Sequence, residues 1–391
     1  MADSPAVAAP PLARRGTGAA VLTGAAVASA YGRGTEALLA GVLSGQPAFA
    51  PVQRFDVSAR RASVAAAMPG SPALLAEITR AALDACDDAG LSPADRSATP
   101  LFLAVHGNPE IARAPAADRS RLGTDAFAAA VAERCGLDEQ AVRCYTSACV
   151  AASTAIADAA AMISHGRADR VIVAGGYLVD SDQFALFDAG RTLADDGQVR
   201  PFSAGRRGLL LGDGVGAVVI ESAESATARR APVLARLAGW GRTGDAYHPC
   251  QPRADGQGLA RAICAALQRA GIAAEDLGYI NAHGSGTRQS DLAETNALRL
   301  ALGDAAETVP VSSTKSLHGQ ALEASGVLEL IVTLLAAGQG LLPPNAGFLG
   351  LDEGCRLNLV LGEARVASPE YAMSLNAAFG GANTALVIGL P

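Results

Sequence analysis

The 391-residue sequence is poor in aromatic residues and in positive charge, and it has neither a C-x-x-C pair nor an apolar run of membrane-spanning length. A net charge of −7 argues against a general nucleic-acid-binding protein, because such proteins need a basic surface. The seven cysteines, an odd number in a long chain, favour a reducing cytosol over a disulfide framework or a zinc site. The longest apolar candidate, Val327 to Gly338, is interrupted by Glu329. We therefore expect no membrane span, no metal and a cytoplasmic location.

Small residues are abundant instead, which suits helices packed closely on sheets. Residues 1–18 are rich in Ala and Pro, and their basic pair follows the apolar stretch, the reverse of a signal peptide, so this segment is predicted to be a disordered tail. Beyond it, strands alternate with helices, which predicts an α/β protein with largely buried sheets. A polar segment at 222–231 separates an N-terminal half, 19–222, from a C-terminal half, 232–391. Each half has an Ala-rich helix ending at Gly, which hints at an internal duplication.

Cys149 lies where an irregular run ends and a helix-favouring run, Val150 to about His165, begins. A cysteine in the first turn of a helix faces unpaired N–H groups and the positive end of the helix dipole. Both favour the thiolate, which is the nucleophilic form. The alternative interpretation is a small apolar residue at a helix start. Residues further along the chain favour the nucleophile.

Several short blocks occur in a fixed order along the chain. They are Ser147-Ala148-Cys149, Arg200-Pro201-Phe202-Ser203, Gly212-Asp213-Gly214-Val215-Gly216, Asp245-Ala246-Tyr247-His248, His283-Gly284-Ser285-Gly286-Thr287, Ser313-Thr314-Lys315-Ser316 and Phe379-Gly380-Gly381-Ala382-Asn383. Together they resemble the β-ketoacyl synthases (3-oxoacyl-acyl carrier protein synthases) of the type I/II branch, within the thiolase-like superfamily. The resemblance covers nearly the whole chain from Ala19 to Ile388. It implies an α/β, thiolase-like five-layer αβαβα fold built from two similar halves.

The resemblance also implies the roles of individual residues. Cys149 would be the nucleophile that takes an acyl group from a carrier protein, and the N–H groups of Cys149 and Phe379 would form the oxyanion hole. His283 would donate a hydrogen bond to the enolate formed from malonate. Lys315 would organise the charge of the site with its acidic partner Glu329. The remaining supporting residues are Thr287, beside His283, and the close-approach glycines Gly380 and Gly381.

No cofactor is implied, because the substrates travel on the phosphopantetheine of acyl carrier protein. The expected partners are that carrier and a second ketosynthase-like chain, in a homodimer or heterodimer formed through the N-terminal half. The carrier is acidic, so basic residues at the pocket mouth are predicted to dock it. The candidates are Arg60, Arg61 and Arg206.

Two departures from the family pattern lie in the stretch from Lys315 to Gly326. Gln320 replaces the second catalytic histidine, and Glu323 replaces a small glycine. We expect a helix from Gln320 to Ala337, on which these two side chains share a face. An amide donates a hydrogen bond but takes no proton from a thiol. A carboxylate at Glu323 would repel malonate if it faced the pocket, whereas on a helix turned away it would be a surface residue.

Three functions follow from these residues. The first is a condensing enzyme with a Cys149-His283-Gln320 site that extends an acyl group with malonyl carrier protein, in fatty acid or polyketide synthesis. The second is a ketosynthase-like acyltransferase that passes the acyl group from Cys149 to a non-carbon nucleophile, without decarboxylation. The third is a partner subunit like the chain-length factors. The retained Cys149 argues against this function, and the two departures argue for it.

Overall fold

The computed structural model describes residues 18–111, 114–115 and 122–391. The predicted disordered tail, apart from residue 18, lies outside the described residues. The strands are Ala20–Ser29 (β1), Gly32–Arg33 (β2), Ala50–Pro51 (β3), Val64–Ala65 (β4), Pro100–Ala104 (β5), Asp138–Tyr145 (β6), Arg170–Tyr177 (β7), Gly214–Ser222 (β8), Ala235–Gly244 (β9), Leu277–Asn281 (β10), Val311–Ser312 (β11), Leu341–Leu342 (β12), Arg365–Val366 (β13), Tyr371–Ala377 (β14) and Ala382–Gly389 (β15).

The α-helices alternate with these strands. They are Thr35–Leu43 (α1), Leu74–Asp88 (α2), Pro93–Ser97 (α3), Thr124–Cys135 (α4), Ala151–Ser164 (α5), Ser181–Ala189 (α6), Ala223–Arg229 (α7), Gln257–Ala270 (α8), Arg288–Leu302 (α9), Lys315–His318 (α10) and Ser325–Gln339 (α11). Two short 3₁₀ helices, Ala148–Val150 and Leu322–Ala324, immediately precede α5 and α11.

The main sheet consists of two halves with the same topology. The N-terminal half has the strand order β1-β8-β7-β5-β6 and the C-terminal half β9-β15-β14-β10-β11. Each order reads first, fifth, fourth, second and third along its half. The parallel and antiparallel pairs also fall at the same places in both. The predicted pair of similar halves is therefore confirmed.

The two halves enclose the central helices. Helices α5 and α11 pack against each other and against strands of both halves, α2 and α4 cover the outer face of the N-terminal half, and α8 and α9 cover that of the C-terminal half. These elements make the five layers that the resemblance implied. The two halves of the sheet also meet along one edge, where β1 pairs with β9 through Val21–Arg236 and Leu22–Ala235.

Glycines allow the layers to approach closely. A Cβ atom on Gly212 would lie 2.0 Å from the carbonyl oxygen of His318, and one on Gly214 would lie 2.6 Å from the Cβ of Ala321. The chain from Lys315 to Ala324 therefore lies directly on the start of β8, which is why this block needs glycine. The Leu322–Gln339 segment is long and apolar enough to cross a membrane, but 83% of it is buried between the sheets, as expected for a core helix.

Candidate active site

Cys149 lies at the junction between β6 and the central helix α5. Its backbone belongs to the 3₁₀ helix Ala148–Val150, which runs directly into α5. Ala148 has a φ of 51°, a left-handed conformation that L-residues adopt only under constraint. This sharp turn brings the Cys149 thiol to the N-terminal end of the helix. The predicted placement is correct, and the helix ends at Ser164 with Gly166 at a φ of 63°.

The environment of Cys149 favours the thiol. Burial and, after it, the charge of Glu323 raise the pKa of Cys149 to about 12, although the Gln320 side chain and the positive charge of Lys315 act to lower it. The expectation of a thiol biased towards thiolate is therefore wrong. The sequence showed the helix end but not the carboxylate that the fold places beside the sulfur.

Gln320 reaches Cys149 from an extended segment and not from a helix. Its backbone N–H donates to the Leu210 carbonyl at 2.8 Å, and its carbonyl accepts from the Gly212 N–H at 2.9 Å, which fixes the residue beside the start of β8. Its side chain is buried and acts on the Cys149 thiol, whose pKa it lowers. The predicted helix from Gln320 is therefore wrong, because α11 begins at Ser325. The two replaced positions still converge on Cys149, but through a turn.

Glu323 is directed into the protein. Its side chain is 3% exposed, and its Oε1 lies 3.2 Å from Nδ1 of His106. Its other oxygen, Oε2, is buried without a hydrogen-bond partner among the described residues. The interpretation of Glu323 as a surface residue is therefore wrong. His106, on the loop after β5, is the site residue that sequence reasoning missed, because no motif or spacing links it to the chain more than two hundred residues later.

His283 stands on the loop that follows β10. Glu294 accepts hydrogen bonds from the backbone N–H groups of His283 and Gly284, each at 2.7 Å. Asp291 accepts from the N–H groups of Gly286 and Phe202, at 3.1 and 2.8 Å. The two carboxylates therefore hold the loop in place. Burial and the charge of Lys315 keep the pKa of His283 well below its usual value, so its ring is neutral.

Lys315 is the one lysine of the chain and is buried in α10. Its Nζ lies 2.5 Å from Oε1 of Glu329, and the other Glu329 oxygen accepts a hydrogen bond of 2.6 Å from Asn376, at the end of β14. Burial raises the pKa of Glu329, while Lys315 and Asn376 oppose that shift. The Lys315 charge acts on both Cys149 and His283. The expected partnership of Lys315 and Glu329 is thus present in the structure.

Phe379 lies on the tight loop between β14 and β15. Gly380 and Gly381 have φ values of 84° and 76°, and the Gly380 N–H donates to the Pro249 carbonyl at 2.7 Å. The Phe379 side chain is half-exposed and stacks on Phe187 of α6, with ring centroids 5.9 Å apart. Among the described residues the Phe379 N–H has no hydrogen-bond acceptor within the chain. It therefore remains available to a ligand.

The remaining predicted site residues lie further out. Thr287 immediately precedes α9, and its hydroxyl is 3.0 Å from that of Ser285, within the loop that carries His283. Arg60 and Arg61 are exposed, and Arg61 pairs with Asp195 at 3.2 Å. Within the described ranges, no three His, Cys, Asp or Glu side chains are grouped to hold a metal ion.

Comparison with known proteins agrees with this geometry. Residues 73–226 match the family model described as the N-terminal domain of β-ketoacyl synthase, and residues 234–349 match that of its C-terminal domain. The chain belongs to the β-ketoacyl synthase family.

Individual relatives of this chain show how far the similarity extends. Nodulation protein E of Rhizobium meliloti is 43% identical over 243 residues, which are 62% of this chain and 60% of that protein. The 3-oxoacyl-[acyl-carrier-protein] synthase 2 of Staphylococcus aureus is 39% identical over 246 residues, 62% of this chain and 61% of that one. The matched region thus spans about three-fifths of these curated relatives. The solved ishigamide ketosynthase/chain length factor is 30% identical, with a TM-score of 0.86 over 97% of this chain and 100% of that one.

One residue that was predicted to lie at the pocket mouth is buried instead. Arg206 is buried, its Nη1 lies 2.7 Å from Asp352, and its Nε lies 3.5 Å from Asp291. Its guanidinium braces the loop that Asp291 also holds. The prediction that Arg206 docks a carrier protein is therefore wrong. Its neighbour Arg207 is exposed and pairs with Asp195 at 2.9 Å, as Arg61 does.

Proposed function

We propose that this β-ketoacyl synthase is a condensing acyltransferase of fatty acid or polyketide synthesis, acting on substrates carried by acyl carrier protein. The observation that carries the proposal is the convergence on Cys149 of Gln320 and of the Lys315 charge, with a neutral His283 in the same electrostatic field. A nucleophile, an amide donor and a neutral imidazole are the groups that acyl transfer followed by enolate attack requires. No cofactor takes part in this scheme, since the acyl groups arrive on phosphopantetheine.

In the first half-reaction the Cys149 sulfur attacks the acyl thioester, and the carrier thiol leaves. The N–H groups of Cys149 and Phe379 stabilise the oxyanion, and the acyl group stays on Cys149. Gln320 donates its hydrogen bond to the sulfur but takes no proton, so the thiol proton passes to the leaving carrier thiolate or to water. The reaction therefore depends on hydroxide more than a Cys–His pair would.

In the second half-reaction malonyl carrier protein loses carbon dioxide, and the enolate carbon attacks the acyl-Cys149 carbonyl. The bond between that carbonyl carbon and the Cys149 sulfur then breaks, so the β-ketoacyl group leaves on the carrier and the Cys149 thiolate takes up a proton. The neutral His283 ring donates a hydrogen bond to the enolate oxygen, which an imidazole does without changing its own charge. The buried Lys315–Glu329 pair contributes a fixed electrostatic field at both Cys149 and His283 during enolate formation and attack. The roles of these residues rest on their placement around the Cys149 sulfur.

Two measurements test this proposal. Incubation with an acyl-carrier donor should add one acyl mass to the intact protein, and malonyl carrier protein should then release carbon dioxide. Cys149→Ala should abolish the adduct, while Cys264→Ala, at an exposed cysteine, should leave it unchanged. A wild-type protein that forms no adduct, or an adduct that survives Cys149→Ala, would exclude Cys149 as the nucleophile and favour the partner-subunit function.

The buried Glu323 carboxylate beside Cys149 supports a second candidate. A buried anion disfavours malonate, so transfer of the acyl group to a non-carbon nucleophile, without decarboxylation, is the alternative fate of acyl-Cys149. The deciding measurement is carbon dioxide release from malonyl carrier protein by the acylated enzyme. Acyl-Cys149 that forms readily but never causes decarboxylation would favour this alternative.

For the partners, we propose an acidic carrier protein and a second ketosynthase-like chain. The backbone N–H of Arg61 donates a hydrogen bond to Asp188, which follows Phe187 in α6. Arg61 is therefore held next to α6. Phe187 in turn stacks on Phe379, and Leu186 beside it is exposed. A basic and apolar surface thus lies next to the Phe379 loop. We further propose a dimer, acting in the cytoplasm, and light scattering at micromolar concentration should report twice the mass of one chain.

A further inference from the structure

The pair formed by His106 and Glu323 connects the active site to the protein surface. His106 is 66% exposed, whereas the Glu323 side chain is 3% exposed, and the two are joined through the Nδ1–Oε1 contact of 3.2 Å. On the outer side of the ring, Nε2 of His106 lies 3.1 Å from Nε2 of Gln183, in α6. In the neutral imidazole, Nδ1–H donates to the carboxylate and Nε2 accepts from the Gln183 amide, whereas in the imidazolium both ring nitrogens donate and the Gln183 amide turns so that its oxygen accepts. His106 is therefore held on both sides.

The inner end of the pair faces the reacting sulfur. The 3₁₀ helix Leu322–Ala324 packs against the 3₁₀ helix Ala148–Val150, so Glu323 and Cys149 come from adjoining turns. The Oε2 atom of Glu323 is buried without a partner among the described residues. A buried carboxylate with one free oxygen is costly, and its charge is weakly screened. A positive charge beside this carboxylate would therefore reduce its repulsion of any anion that enters the site.

We propose that His106 is a positioning residue that, as an imidazolium, neutralises Glu323 and thereby admits the carboxylate-bearing extender to the Cys149 site. The proposal rests on the proposed condensing function for its substrate. The charge coupling between His106, Glu323 and Cys149 does not depend on that function and can be measured without any substrate.

The sign of the pH dependence follows from the charged groups around the pair. His106 faces Glu323 and Asp180, and its hydrogen bond to Glu323 raises the pKa of His106 above 6.5. Glu323 in turn acts on Cys149 and Tyr177, where Lys315, Glu329, Asp180 and Asp213 also contribute. A raised pKa means that the imidazolium is present at low pH and is lost as the pH rises through that raised value. Neutralisation of Glu323 is therefore complete in mildly acidic solution and absent in alkaline solution.

The first experiment measures carbon dioxide release from malonyl carrier protein between pH 6 and pH 9. His106→Asn keeps a donor to Glu323 but cannot be charged, and Glu323→Gln keeps an acceptor without charge. At pH 6, His106→Asn should raise the KM for malonyl carrier protein about tenfold, the equivalent of about one unit of pKa. At pH 9 the variant and wild type should have the same KM. In wild type the KM for malonyl carrier protein should rise with pH, as His106 loses its charge. Glu323→Gln should remove that rise, and the double variant Glu323→Gln with His106→Asn should have the same KM as Glu323→Gln alone. His165→Asn is the matched control, because His165 is exposed and bonds only its own helix at Ala161 among the described residues.

The second experiment needs no substrate. Alkylation of Cys149 by iodoacetamide, followed by peptide mass spectrometry, reports its thiolate fraction. At pH 6 the His106→Asn variant should alkylate about tenfold more slowly than wild type, and the two should agree at pH 9. Glu323→Gln should alkylate faster than wild type throughout. Equal alkylation of all three proteins across this range would overturn the proposal, whatever the enzyme's substrate. A wild type that alkylates as expected but releases no carbon dioxide would instead count against the condensing function.

Discussion

At the scale of single residues, Cys149 combines a favourable backbone position with unfavourable side-chain neighbours. The N-terminal end of α5 attracts negative charge, by about 2 kcal/mol at most in a partly buried geometry. Burial and the Glu323 carboxylate act in the opposite direction and prevail, since the pKa of Cys149 is raised to about 12. The thiolate is therefore the scarce form at neutral pH, and chemical steps that consume it should accelerate as the pH increases.

Replacing the amide beside Cys149 by an imidazole should increase the thiolate fraction of Cys149 at neutral pH. Gln320→His introduces a base near the sulfur, so acylation at pH 7 should become about a hundredfold faster, the low end of general-base effects. The acceleration should diminish in alkaline solution, where hydroxide already produces thiolate. Rates are read from the acyl adduct by intact-protein mass spectrometry. Gln320→Asn, a shorter amide, is the control and should not accelerate the reaction.

If Glu323 hinders the new imidazole, the double variant Gln320→His with Glu323→Gly should succeed where the single one fails. Failure of both variants would show that Gln320 does not limit acylation.

The buried pair Lys315–Glu329 predicts a large stability effect at one residue. Lys315→Met leaves Glu329 buried without its counter-charge, which costs about 3–5 kcal/mol in the free energy of unfolding. Adding Glu329→Gln removes the isolated charge, so the double variant should recover most of that loss. Urea denaturation measures all three proteins. A single variant as stable as the double variant would mean that the pair is not an electrostatic unit.

At the scale of elements, the contact between α5 and α11 depends on one glycine. A Cβ atom on Gly326 would lie 2.4 Å from the backbone nitrogen of Ser153 and 2.8 Å from its Cβ. The first turns of these helices carry Ser153 and Gly326, which lie one helical turn after Cys149 and Glu323 respectively. The approach of the two helices therefore sets how closely the carboxylate and the sulfur can meet.

Gly326→Ala should separate the two helices and lower the free energy of unfolding by about 1–3 kcal/mol, the usual cost of overpacking. Gly338→Ala is the matched control in the same helix, because no atom lies within 4 Å of its added Cβ. That change should be neutral or stabilising by up to about 1 kcal/mol, from helix propensity. Chemical denaturation of both variants tests the contact, and equal stabilities would contradict it.

At the scale of the whole molecule, the duplicated topology places the end of β6 from one half and those of β10 and β14 from the other around the central helices. Cys149 comes from the first half, while His283, Lys315 and the Phe379 loop come from the second. The candidate site therefore takes residues from both halves. The exposed Arg60 and Arg61 lie on the N-terminal half, beside the α6 helix that supports Phe379.

Charge reversal on this surface should weaken the encounter with an acidic carrier. The double change Arg60→Glu and Arg61→Glu should slow acylation at low carrier concentration by about tenfold at low salt, and the difference should shrink as salt is added. Acylation at saturating carrier should be little affected, because rim charges act on association. Arg134→Glu, on the outer helix α4, is the control with the same change of charge. Unchanged salt dependence in the double variant would remove these arginines from the docking surface.

Sequence alone determined the candidates for the chemistry and the order of the elements. The resemblance of the motif blocks named Cys149, His283, Lys315 and Phe379 as candidates and implied the layered fold. The alternation of strands and helices predicted an α/β protein, because local periodicity depends on neighbours in the chain.

Only the tertiary structure decided which of the remaining polar and charged side chains lie in contact. Gln320 lies on an extended segment because it pairs with the chain around Leu211, far away in sequence, and the helix expected there starts five residues later. Arg206 is buried because Asp352 and Asp291 reach it, and His106 joins the site because Glu323 points inward. Side-chain burial and long-range ion pairs depend on how separate elements pack. No local pattern encodes that packing, so the pKa of Cys149 could not be inferred from its place at a helix end.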